Sequence, residues 1–205
     1  MCKTVVKKYS FVTCYWAFVI LLLTGCASVQ PVVKIGLVGP FEGQHRAIGY
    51  DLIYSARLAV REMNADGGIG GYRVSLVALD DGGNVEMAKE TAVSLTLDSA
   101  IIAVVGHGLP ETSNAVAPIY KKANILFLSL GKRPPHLHGS KLFAEADPAN
   151  YSADFRAAYQ SVTPFDEEPG AYAKPAYDAF TFLREAIIRI TKSNKPLTRE
   201  AIFNS

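Results

Sequence analysis

Val33-Lys34-Ile35-Gly36-Leu37-Val38-Gly39-Pro40-Phe41-Glu42-Gly43 decides how the rest of the chain is read. Val33 to Val38 is an apolar run broken only by Lys34 and Gly36, and Gly39-Pro40 closes it as a strand meeting a turn. Next comes a helical stripe: Leu52, Ala56, Ala59, Val60 and Met63 share one face of a helix predicted from about Gly49 to Asn64. The glycines of Asp66 to Gly71 cap that helix and turn the chain into a second strand, Arg73 to Leu79. The unit then repeats. Asp80 to Asn84 is a polar turn into a helix with Val85, Ala88, Ala92 and Leu95 inward, and Ile101 to Val105 is a wholly apolar third strand. Such a run suits a parallel sheet covered on both faces. A third helix is predicted from about Pro110 to Ala123, with Pro110 in its first turn and a kink at Pro118. Ile125 to Ser129 is the fourth strand. This βαβαβαβ series implies right-handed crossovers and an α/β, doubly wound, open parallel sheet flanked by helices.

Beyond Gly131 the regularity weakens. Lys132 to His138 reads as a loop, Lys141 to Ala146 as a candidate fifth strand and Asp154 to Tyr159 as the end of a helix. Thr163 to Gly170 is a turn-rich connector. Tyr172 to Ile190 is a long helix whose buried stripe is Ala176, Ala179, Leu183, Ile187 and Ile190.

The N-terminal side has a different character. Lys3, Lys7 and Lys8 form a basic region without acids, Phe11 to Leu23 is apolar but for Thr13, and Leu23-Thr24-Gly25-Cys26 follows. That is the layout of a secretory signal peptide over residues 1–25, too short and wrongly flanked for a retained membrane helix. Its ending resembles the lipobox of bacterial lipoproteins, which implies a lipid anchor on Cys26, a tether over 26–32 and an extracytoplasmic, membrane-anchored location. An ordinary signal peptide with a chance cysteine is the plainer alternative. Removing the leader leaves 18 basic against 19 acidic residues, a formal charge of −1 in place of +2. A near-neutral domain without a basic stripe argues against nucleic acid as a partner. Cys2 and Cys14 leave with the leader, so no cysteine pair remains for a disulfide and core burial must hold the domain together.

Several short motifs occur in order and together. Gly39-Pro40-x-x-Gly43, Ala59 to Asn64, Gly67 to Gly71, Asp80-Asp81, Val105-Gly106-His107, Ala117 to Tyr120 and Tyr172 to Ala179 resemble the branched-chain amino-acid type of ABC-transporter substrate-binding protein. The resemblance implies a type I periplasmic-binding fold and a non-enzymatic capture protein without cofactor, which hands a small-molecule ligand to an ABC permease complex. Members have two lobes that close on the ligand. Here residues 33–146 resemble the first lobe and 147–205 a C-terminal family segment packing on it, with the second lobe's own βαβ units missing between them. A sensory or partner-binding module, or a truncated inactive remnant, is the other reading of such a chain.

Ligands of open parallel sheets sit beyond the C-terminal strand ends. The candidate ligand-binding residues are therefore Phe41, Glu42 and Ile48 after the first strand, Leu109, Pro110, Glu111 and Thr112 after the third, and Gly131, Lys132 and Arg133 after the fourth. The family usually presents small hydroxyl residues and free N–H groups to a ligand carboxylate. In this chain Pro110 offers no N–H, bulky cations stand at Lys132 and Arg133, and Ile48 stands where an aromatic often packs. The ligand expected is an amino acid or a related small polar or anionic molecule. Lys132 and Arg133 either fork onto an anion or are solvated loop cations. Glu111 and Thr112 either contact ligand or only complement the helix end. His107, at a strand end, reads as a packed, hydrogen-bonded residue rather than a catalyst. His136 and His138 could meet a metal only with His45 and lack a cysteine or carboxylate partner, so no metal site is expected. G-x-S-x-G, Walker A, paired-histidine zinc and G-x-G-x-x-G patterns are all missing, and no enzymatic activity is expected.

Overall fold

The computed structural model describes residues 30–131 and 140–205. Five strands form one sheet in the order β2-β1-β3-β4-β5, and every neighbouring pair is parallel. They are β1 (Val32–Gly39), β2 (Arg73–Asp80), β3 (Ile101–Gly106), β4 (Leu126–Leu130) and β5 (Ser140–Phe143). The helices are α1 (Arg46–Asn64), α2 (Val85–Leu97), α3 (Pro110–Lys122), α4 (Ala153–Gln160), α5 (Ala173–Lys192) and α6 (Arg199–Phe203). The predicted class holds, and so does the order of elements through β4.

Both faces of the sheet are covered, which is why β3 and β4 are buried along their whole length. Alternation along the strands divides the core in two. Leu37, Val105 and Leu128 face α1 and α5, whereas Val38, Val104 and Phe127 face α2 and α3. On the first face α5 lies along α1. The meeting surfaces carry small residues, Ala56 and Ala59 on α1 and Ala176, Ala179 and Ala186 on α5, all buried. Small side chains let two helix axes approach closely, and the larger Phe180, Leu183 and Ile187 then reach the sheet core. Each of those three burials contributes about 1.5–3 kcal/mol.

Several boundaries differ from the sequence expectation. α1 begins at Arg46, three residues before Gly49, because a single 3-10 turn over Gly43–His45 already coils the chain. β4 starts and ends one residue later than predicted, and β5 stops at Phe143 instead of Ala146. Asp154 to Tyr159 is not the end of a longer helix. It lies within α4, a two-turn helix started by Ser152, whose hydroxyl accepts from the Phe155 N–H. α6 was not predicted at all. α3 runs through Pro118 as one helix.

The C-terminal residues are bound to the rest of the sheet-and-helix unit by side chains far from them in sequence. The Asp51 carboxylate on α1 accepts from Gly170 N–H at 2.9 Å, Tyr172 N–H at 3.0 Å and the Tyr159 hydroxyl at 3.3 Å. At the N-terminal end of the central strand β3, the Arg199 guanidinium donates to the carbonyls of Ile101, Thr96 and Asp98. Two of those carbonyls end α2, so the cation also meets the negative end of that helix. Among the described residues no helix is long and apolar enough to cross a membrane. Cys26 and residues 1–25, expected from the sequence to be a signal peptide, lie outside the described residues.

Candidate ligand-binding crevice

The strand order fixes where a crevice must form. From β1 the chain goes outward to β2, then returns to β3 on the other side of β1. The connections leaving β1 and β3 diverge, and the space beyond their C-terminal ends stays unfilled. A cavity of about 800 Å³ occupies that position. His45 comes from the β1–α1 connection, Gly83 to Glu86 from the turn and first residues of α2, and Leu109, Pro110 and Glu111 from the start of α3. Glu145, beyond β5, and Tyr172, just before α5, complete the lining among the described residues. A groove of about 450 Å³ lined by Arg189 to Ser205 lies instead by α6, whose Arg199 bonds the first residue of β3.

Of the residues predicted for the site, Leu109, Pro110 and Glu111 line this cavity. The others are near it in different roles. Phe41 packs partly buried on the main core, and its N–H donates to Asp80 Oδ1 at 2.8 Å. Glu42 is exposed at the start of the 3-10 turn. Ile48 is half-buried against the β3 loop; a Cβ on Gly108 would lie 2.6 Å from its Cγ2. Thr112 is buried, and its hydroxyl turns back to donate to the carbonyls of His107 and Leu109 at 2.8 and 3.0 Å. Gly131 is buried at the end of β4, where its N–H donates to Phe143 O. Lys132, Arg133, His136 and His138 lie outside the described residues.

Seven residues of the described lining were not among the predicted ones: His45, Gly83, Asn84, Val85, Glu86, Glu145 and Tyr172. Glu86 was legible as a first-turn acid complementing the α2 end, where Asn84 accepts from the N–H groups of Glu86 and Met87. Nothing local in the sequence brings Glu145 and Tyr172 to the same rim. Burial raises the Tyr172 phenol above its usual range, and the adjacent Glu145 carboxylate raises it further.

Chemically, the crevice offers one helix end and several carboxylates. α3 starts at Leu109 with no side-chain cap, and Pro110 occupies its first position. Among the described residues, no side chain accepts from its early N–H groups at the positive end of the helix. Glu86, Glu111 and Glu145 give the described lining a negative rim, and no described lining residue is Lys or Arg. Among the described residues, no three His, Cys, Asp or Glu side chains are grouped to hold a metal.

A family model described as "Periplasmic binding protein" matches residues 32–144, which contain all five strands and most of the crevice lining. The chain belongs to the periplasmic binding protein family. Among curated relatives of this family, an amino acid binding protein from Pseudomonas aeruginosa is 31% identical over 105 residues, covering 51% of this chain and 28% of its own length. A leucine-specific-binding protein from Salmonella typhimurium is 28% identical over 121 residues, covering 59% of this chain and 32% of its own. The chain thus spans about a third of the length of these curated relatives. Two solved structures share the fold. The branched-chain amino acid transporter substrate binding protein from Streptococcus pneumoniae, solved with isoleucine, has a TM-score of 0.64 at 15% identity and covers 84% of this chain and 87% of that one. A leucine binding protein from Thermotoga maritima has a TM-score of 0.65 at 14% identity, covering 84% and 86%.

Proposed function

We propose that this chain is the first lobe of an extracytoplasmic solute-binding protein serving an ABC importer, with an amino acid or a related small polar molecule as ligand. The observation that carries the reading is the crevice itself. It sits at the strand-order switch point, has most of its lining in the segment that matches the family, and is bounded by the uncapped end of α3. In this reading the ligand carboxylate rests on the first-turn N–H groups of α3, beyond Pro110, and Leu109 and Tyr172 supply apolar wall. The carboxylates of Glu86, Glu111 and Glu145 disfavour a purely anionic ligand and suit one that also carries an ammonium group. A free amino acid has both. The chain performs no chemistry on it; it captures and presents, with Cys26 as the lipid attachment point and a permease complex as the partner.

Isothermal titration of the full chain with L-leucine, L-isoleucine, L-valine and simple carboxylates tests the proposal. Saturable, one-to-one binding of an amino acid supports it. No heat and no thermal stabilisation with any of them, in a chain that unfolds cooperatively, refutes it. Cys26→Ser releases the protein from the membrane fraction if the cysteine is the anchor; unchanged retention refutes the anchor alone.

A further inference from the structure

Seven polar or charged side chains are buried among the described residues, and four of them, Asp81, His107, Thr112 and Ser113, meet around one residue just behind the crevice lining. That residue is His107. It adopts a left-handed backbone conformation with φ 56°, uncommon for a non-glycine residue, and each of its polar atoms is engaged. Its N–H donates to Val38 O at 2.7 Å. Its carbonyl accepts from the Thr112 hydroxyl at 2.8 Å, the Ser113 hydroxyl at 3.3 Å and the Leu109 N–H. Nδ1 lies 2.9 Å from Asp81 Oδ2, and Nε2 lies 2.9 Å from the Tyr120 hydroxyl.

The direction of the side-chain relay follows from the donors available. A carboxylate only accepts, so Nδ1 carries the proton and Nε2 accepts from Tyr120. Burial holds the imidazole below its usual pKa and pushes the Tyr120 phenol well above its own, which keeps the ring neutral and the phenol protonated. Phe127 of β4 closes the remaining side, edge-on, at 5.7 Å between ring centres. The relay ends at the crevice. Asp81 Oδ1 accepts from Gly83 N–H at 2.9 Å, and Asp81 N–H donates to Gly39 O. Gly83 in turn is so close to the β3 rim that an added Cβ would lie 3.0 Å from Leu109 Cδ1. Connections from β1, β2 and β3, together with α3, are thus tied to a single imidazole.

We infer that His107 is a positioning residue of the crevice: through Asp81 and Tyr120 it fixes the spacing between the Gly83 and Leu109 rims, and so sets ligand affinity without touching ligand. This rests on the ligand-binding reading above. The test uses the full chain as wild type, Tyr120→Phe and Asp81→Asn, with three readouts: amide hydrogen exchange, histidine side-chain ¹⁵N NMR and L-leucine titration. Tyr120→Phe keeps the ring packing on Phe127 and removes only the donor. Exchange at Gly83 and Leu109 then quickens by about tenfold, the effect of one lost buried hydrogen bond, while Val104 and Leu128 in the sheet keep their rates. Asp81→Asn reverses the relay, because the amide N–H donates to Nδ1 and the ring proton moves to Nε2. Leucine affinity falls about tenfold in both variants.

Equal quickening across the whole sheet, no change at the two rims, or an unchanged ring tautomer in Asp81→Asn overturns the inference. So does unaltered leucine affinity in both variants when the wild type binds. If the wild type binds no leucine, the ligand reading has failed, and the rim exchange and the ring tautomer alone decide whether His107 positions these loops.

Discussion

The Asp51 carboxylate gives the sharpest test of how the C-terminal segment is held. Asp51→Ala strips the acceptor from two backbone N–H groups and one phenol in a site that is itself only 8% exposed. A hydrogen bond to a charged group contributes about 1.5–3 kcal/mol, and donors left in a partly buried site recover little of it. The contacts are not additive, so the loss expected for the three together is about 3–4 kcal/mol. Gly170 supplies the second arm of the argument. A Cβ there would sit 2.9 Å from Asp51 Oδ1 and 3.0 Å from Cγ, so Gly170→Ala must displace the carboxylate and costs about 2 kcal/mol. Once Asp51 is alanine, that obstruction is gone. A urea-unfolding double-mutant cycle should therefore show the double variant about 1.5–2 kcal/mol more stable than the sum of the singles predicts. Strict additivity would refute the clamp, as would an Asp51→Ala loss below about 1 kcal/mol.

Three further outcomes are expected. Burial lowers the His107 pKa below its usual 6.5, so in acid the unfolded chain takes up a proton that the folded chain refuses. Stability from this group is complete above pH 6.5 and declines below it, toward the folded pKa, by up to about 1.4 kcal/mol per pH unit. Comparing the slopes of His107→Gln and wild type between pH 6.5 and 5 in thermal unfolding checks this, and identical slopes would contradict it. Leu183→Ala, in a fully buried position between α5 and the sheet, costs about 2–5 kcal/mol by denaturant titration; a loss under 1 kcal/mol would mean that α5 does not cover the sheet as described. Arg199→Ala frees three carbonyls and should quicken amide exchange in α6 and at the end of α2 before it changes the melting temperature greatly. A rise in exchange confined to the crevice loops would contradict that assignment.

The sheet was legible because its strands are apolar runs of the right length and its helices carry stripes such as Ala176, Ala179, Leu183 and Ile187, all of which are buried. The end effects were less so. α1 gains its first turn from Gly43–His45, a 3-10 segment with no periodicity to detect, and α6 has only five residues, too few for a stripe. At the crevice, Leu109, Pro110 and Glu111 were legible because strand order dictates where a switch point opens. Thr112 looked equally accessible one residue later, yet it turns inward to pin the His107 carbonyl. Glu145 and Tyr172 could not be placed from local pattern: Asp51, 121 residues before Tyr172, accepts that residue's N–H, and next to Glu145 the Ala146 N–H donates to Ala171 O. His107 was expected to be packed and hydrogen-bonded, and it is. Its left-handed backbone and its link to Gly83 come from tertiary contacts that no local pattern encodes.

The central claim is that ligand enters between the β1, β2 and β3 loops at the switch point of the sheet. Titrating ¹⁵N-labelled full-length chain with L-leucine and following the amide spectrum tests it most directly. The account predicts saturable shifts at Gly83, Glu86, Leu109, Glu111 and Tyr172, with the strand amides of Ile35 and Val104 little changed. Saturable shifts clustered instead around Arg189 to Ser205, or no saturable shift at the crevice residues with L-leucine or any other amino acid, would contradict it.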